Sequence, residues 1–172
     1  MKKYLNIYVA LYLLVGIFGA LVTLWFKPWD LGIVSIPPSS WLMGFSFLLI
    51  TIIQDRSGSV VASKMIWILL ICTAVVCVIN RYSQMIVVAS GVAFLVGQYV
   101  TKIMYTLHVN RTVSSMTGSV VDAAIWILLG LSPIGIGTVP WEMYFRAVWG
   151  QVVIQIIMQA IAAHVYSKVK QG

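Results

Sequence analysis

Residues 60–79 read VVASKMIWILLICTAVVCVI, a run in which Lys64 is the lone charge. A helix of about 20 residues rises about 30 Å, the thickness of a bilayer's hydrocarbon core. A single such run could be a buried core helix. The rest of the chain decides otherwise, because its other long segments are built the same way.

Of the 172 residues, 61% are hydrophobic and 9% charged, and the mean hydropathy is +0.99. Soluble domains carry about 25% charged residues. Too little polar surface is left to cover a globule, so lipid must solvate much of the protein. Runs similar to 60–79 fall at about 4–26, 38–54, 84–107, 115–131 and 141–166. The expected architecture is all-α: a single domain, 1–172, forming a bundle of six transmembrane helices. Pro, Gly, Asn and Ser punctuate the stretches between them. The opening segment has the lysines and apolar run of a signal peptide. That run exceeds the usual length of about 7–15 residues, so it is expected to be retained as the first helix.

The net charge of +7 and pI of 9.6 could suit nucleic acid. The basic residues, however, lie singly or in pairs between apolar runs and form no stripe, which leaves them a topological role and no nucleic-acid partner. With the N-terminus in the cytoplasm, Lys2, Lys3, Arg56, Lys64, Lys102, Arg111, Lys168 and Lys170 fall inside, and Lys27, Arg81 and Arg146 outside. Six spans return the C-terminus to the cytoplasm. Trp29, Trp41 and Trp141 then fall at outer boundaries, where amphipathic rings are favoured. The Asn110 sequon sits in an inner loop and reads as chance.

Cys72 and Cys77 share one apolar run, and His108 and His164 stand alone. No spacing suits a metal, and neither a metal site, a disulfide nor a cofactor is expected. Walker, GxSxG and HExxH motifs are missing, so nothing supports an enzyme.

Asp122 lies within GSVVDAAIWILLG, residues 118–130. A carboxylate at bilayer depth costs about 2.5–3.5 kcal/mol on insertion scales, so it is expected to face the bundle interior. Ser115, Gly118, Ser119 and Trp126 share its helical face. Two roles are open: ligand recognition, or a structural contact to a neighbouring hydroxyl or to Arg146. Glu142 and Arg146, one turn apart, are expected to form an ordinary ion pair. Gly16/Ala20 and Ala93/Gly97 read as close-packing pairs.

A weak repeat relates GFSFLLITIIQ (44–54) to GVAFLVGQYVT (91–101). It places Phe47, Thr51 and Gln54 on one face, and Phe94, Gln98 and Thr101 on another. Both helices run the same way, so the two faces could meet across a cavity, as parallel repeats do in some transporters. Duplication and coincidence both account for four matching positions. Gln151 and Gln155 add two amides to the last helix. Amides, hydroxyls, a carboxylate and aromatic rings together suit a flat ligand rich in hydrogen bonds.

Three stretches carry a family likeness: IPPSSWLMGFSFLLITIIQDRSG (36–58), ASGVAFLVGQYVTKIMY (89–105) and SSMTGSVVDAAIW (114–126). They resemble the vitamin-uptake-transporter-like (VUT) family, which includes the queuosine precursor transporters. The resemblance implies six spans in an inner or plasma membrane and import of a 7-deazaguanine-type base. It also implies that Asp122 accepts the N1–H and 2-amino donors of that base, with Gln98 or Gln54 reading the oxygen and Phe47, Phe94 or Trp126 stacking on the ring. Thr51, Thr101 and Ser119 complete the expected lining. Where the family has acidic residues in its second and fourth helices, this chain has Thr51, Gln98 and Thr101. The alternatives are a substrate-binding subunit of an energy-coupling vitamin importer and a non-transporting structural or pore protein. A homo-oligomer is compatible with each.

Overall fold

Gly58 alone separates two helices. Its φ of 88° lies in the region that side chains disfavour, and this lets the chain reverse within one residue. The computed structural model describes residues 2–26, 29–30, 35–81 and 83–171. Its helices are α1 (Lys2–Trp25), α2 (Ser40–Ser57), α3 (Ser59–Ile79), α4 (Gln84–Thr106), α5 (Arg111–Trp126) and α6 (Trp141–Gln171). A π-helical turn, Ile127–Leu131, continues α5. Trp29–Asp30 and Ser35–Ile36 add one short antiparallel pairing.

Local chemistry sets the helix ends. Asn110 caps α5 by accepting from the Thr112 amide at 2.9 Å, so the helix starts ahead of the expected position 115. The residue that reads as a chance sequon therefore has a structural task. Arg81 and His108 take left-handed φ values of 54° and 64° where α3 and α4 stop. Pro37 and Pro38 form the turn before α2, whose first amides bond back to it.

Among the described residues, four helical stretches are long and apolar enough to cross a membrane: Ser59–Ile79, Gln84–Thr106, Arg111–Leu131 and Trp141–Lys168. α1 offers a shorter apolar stretch, Ile7–Thr23. α2 does not qualify, because Ser40, Ser46, Thr51, Gln54, Asp55 and Arg56 interrupt it. Its position explains how it tolerates them. α2 touches all five other helices, and its buried residues, from Ser40 to Gln54, fall on every side of the helix. It is the central strut of the bundle.

The burial pattern reverses that of a water-soluble protein. Val78, Ile79, Phe18 and Leu14 are exposed, whereas Gln98, Gln155, Gln159, Ser115 and Ser119 are fully buried. Apolar side chains on the outside and hydrogen-bonding ones within suit a lipid solvent. Tyr12, Ile50, Ile53, Ile66, Leu69 and Phe94 form an apolar cluster on one side of α2.

Glycines set the tightest crossings. A Cβ on Gly97 would lie 2.8 Å from the Gly118 carbonyl oxygen, and one on Gly44 would lie 2.7 Å from that of Gln155. Gly97 thus lets α4 and α5 approach, and Gly44 does the same for α2 and α6. Gly16 faces Leu69 of α3, so the small residues of α1 are used inside the bundle.

Candidate functional site

At the end of the bundle marked by Trp126, the helices spread around a cavity of about 90 Å³. Room is made by Gly19 and Ala20 of α1, Ala74 of α3 and Gly91 of α4, which line it. The polar and aromatic side chains come in pairs one turn apart: Ser90 with Phe94 on α4, and Asp122 with Trp126 on α5. Gln151 of α6, Thr73 of α3 and Ser39 before α2 complete the polar lining. A second chamber of about 260 Å³ lies beside it, lined by Phe26, Pro37, Ile136 and Val139 among others. Thr23, Ser39, Ile86 and Trp126 border both. A water occupies about 10–15 Å³ of such free volume. The inner chamber therefore takes on the order of six to nine water-sized groups, and the two chambers together have room for a bicyclic heterocycle.

Asp122 is 6% exposed, and that exposure is to the cavity it lines. Neither partner expected of a structural aspartate is in place. Arg146 is exposed at the start of α6, and the one ion pair among the described residues joins Asp55 to Arg111. Glu142 and Arg146, expected to pair, do not, and both are exposed. Gln155 of α6 brings its side-chain amide to the Asp122 carboxyl, and its side-chain carbonyl oxygen has no partner. A fully buried carbonyl oxygen left without a donor is costly. Asp122 therefore presents acceptor capacity to the cavity with no cation to neutralise it.

Trp126 packs against its neighbour in the π turn. A Cβ on Gly130 would come within 2.8 Å of the indole ring. Tyr144 of α6 donates from its hydroxyl to the Ala124 carbonyl at 3.0 Å, fixing the same stretch of α5. The indole is thus a positioned wall between the chambers, and π turns recur where a helix must redirect a side chain.

Of the nine side chains expected to bind ligand, Asp122, Phe94 and Trp126 line the cavity. The other six lie deeper in the helix contacts. Gln98 donates to Ser46 Oγ at 3.1 Å, and Thr51 to the Leu48 carbonyl at 2.7 Å. Thr101 donates to the Gly97 carbonyl at 3.0 Å. Gln54 donates to Thr106 Oγ1 at 2.8 Å. Ser119 donates to the Ser115 carbonyl at 3.1 Å and accepts from Gln159. Phe47 is fully buried, its ring against Gly97. The repeat-related faces of α2 and α4 do meet. They meet in direct contact, however, and not across a cavity, because Gly97 has no side chain to hold the helices apart.

No family model, curated protein or solved structure matches the chain. The likeness to VUT proteins therefore rests on the three stretches themselves. All three contribute to the cavity: Ser39 and Met43 come from the first, Ser90, Ala93 and Phe94 from the second, Asp122 and Trp126 from the third. Gln151, one of the amides the sequence offers for such a ligand, is in the lining, whereas Thr73 and Ser39 had no comparable signal as site residues. A lone hydroxyl or amide in an apolar helix looks the same in sequence whether it meets a cavity or a neighbouring helix.

Proposed function

We propose that the chain is a six-span inner or plasma membrane transporter that carries a queuosine-precursor-type 7-deazaguanine base, or a related planar heterocycle, inward. The supporting observation is Asp122: a buried carboxylate with no cation partner, facing a cavity between Phe94 and Trp126. A guanine-like edge offers two adjacent N–H donors, which one carboxylate accepts together with charge-assisted strength. Phe94 or Trp126 supplies a ring face. In this reading Gln151, in the lining, replaces Gln98 and Gln54 as the amide that reads the ligand oxygen. The protein acts without a cofactor or a catalytic step, by alternating access around the cavity.

The rival importer subunit would dock an ATPase through small residues exposed on its first helix. Gly16 is buried against Leu69 and Ala20 lines the cavity, so that surface is already occupied. A thermal-shift screen of the purified protein against nucleobases, 7-deazapurines and vitamins tests the reading. Stabilisation by 2-amino-7-deazapurines above the other classes is expected. Stabilisation by a vitamin alone would replace the substrate, and none by any compound would favour a structural protein.

The proposed topology places both termini and the α4–α5 loop in the cytoplasm. Accessibility tags at the N-terminus, beside Arg111 and at the C-terminus should report one side. Tags at Pro28 and Ser132 should report the other. Lys27 and Pro28 lie outside the described residues. A C-terminus on the far side would remove both the six-span arrangement and the charge argument.

A further inference from the structure

At the end of the bundle opposite Trp126, one cluster gathers five helices. Arg111 of α5 donates to Asp55 of α2 at 2.8 Å and to the Tyr105 hydroxyl of α4 at 3.1 Å. Its guanidinium lies 5.1 Å from the Tyr166 ring of α6. Tyr166 in turn meets Tyr8 of α1 edge-on at 6.1 Å, and Arg56 covers Tyr8 at 4.8 Å.

Between this cluster and the cavity, the α5–α6 seam is polar. Gln159 donates to Ser119 and to the Ser115 carbonyl, and Gln155 lies one turn nearer Asp122. Both glutamines are fully buried. The side-chain carbonyl oxygens of Gln155 and Gln159 have no partner, and the Gln155 amide lies against the Asp122 carboxyl. A seam serving only to hold two helices together in lipid gains nothing from unpaired acceptors, since each is costly away from water. Ser115, Gly118 and Ser119 keep the α5 side small. The seam therefore carries two spare carbonyl acceptors among bonded hydroxyls, between Asp122 and Arg111.

We propose that the α5–α6 seam is the second half of the solute route, along which a small neutral polar solute leaves Asp122 past Gln155, Gln159, Ser119 and Ser115, and that the Asp55–Arg111 pair with Tyr105 and Tyr166 is the gate closing it. This rests on the transport reading. The strength of the pair suits a gate. Its side chains are 46% and 21% exposed, and an ion pair so placed shifts an equilibrium by about five-fold or less. Such a latch holds one state without locking it.

The test is labelling of a Ser115→Cys reporter in the full chain, with Cys72 and Cys77 replaced by alanine. A membrane-impermeant maleimide is added from the Arg111 side of reconstituted vesicles. Labelling is expected to be slow in the parent and about five-fold faster with Asp55→Asn or Arg111→Gln. The charge swap Asp55→Arg with Arg111→Asp should restore the slow rate. Should the single variants fail to insert, Tyr166→Ala opens the aromatic side of the same gate and should give the same increase. Equal rates in all backgrounds, or faster labelling only from the Trp126 side, would overturn the proposal. The labelling needs no solute, so a silent binding screen and a silent labelling experiment are separate failures.

Discussion

Asp122→Asn should weaken binding of a 2-amino-7-deazapurine by roughly thirty-fold to several thousand-fold, the range expected when about 2–5 kcal/mol is lost with one partner of a charged contact in a dry site. The amide exchanges an acceptor for a donor, so N–H faces N–H at one position and the charge is lost at both. An analogue lacking the 2-amino group should bind the parent protein poorly and lose much less on the same substitution. Isothermal titration of the four combinations gives the coupling directly. Stability should move the other way. Asp122 has no cation partner, so removing its charge lowers the cost of holding it at bilayer depth. The Asn variant is expected to unfold at the same denaturant concentration as the parent or a higher one. A variant less stable than the parent, with both ligands affected equally, would make Asp122 a packing residue and end the recognition role.

Gly118→Val and Gly44→Val should each destabilise the bundle by about 3 kcal/mol, the upper part of the usual overpacking range. The reason lies in what the new side chains would meet. At Gly118 the first Cβ runs into the Thr101 hydroxyl and lies 2.6 Å from the Gly97 carbonyl oxygen; at Gly44 it lies 2.7 Å from the Gln155 carbonyl oxygen. Backbone atoms cannot rotate aside, so whole helices must move. Gly91→Ala is the control, since its methyl meets only Leu70 Cδ1, at 3.4 Å. Unfolding midpoints in mixed micelles should fall for the first two and hold for the third. An unchanged midpoint for Gly118→Val would show that α4 and α5 are not in such close contact.

Helix positions were legible because each apolar run is long and bounded by turn formers. α2 was the exception in kind. Its sequence is too polar for a lipid-facing span, and only its neighbours reveal that it is wrapped on all sides. The face carrying Asp122 and Trp126 could be read from a spacing of four, as could Phe94 on its own helix. Thr51, Gln98 and Thr101 show where such reading stops. Periodicity states which side chains share a face, and both faces do point at each other. It does not state how far apart they stand. That distance depends on Gly97, whose missing side chain brings Asp122 Cβ, the Gly118 carbonyl and the Phe47 ring against α4. The Glu142–Arg146 pair shows the same limit: spacing permits a contact and does not require one.

The central placement of α2 also bears on how the protein is made. An 18-residue helix containing Gln54, Asp55 and Arg56 gains little by entering lipid alone as it leaves the ribosome. α3 follows after one residue and is the most apolar of the four spanning stretches, with a mean hydropathy of 2.4. The two form a hairpin about Gly58, and α3 can draw its partner into the bilayer as a unit. The fold then requires its innermost helix to enter second and remain shielded until α4, α5 and α6 close around it. Stalling synthesis after α2 should leave a Ser46→Cys reporter open to a membrane-impermeant maleimide, whereas stalling after α3 should leave it protected.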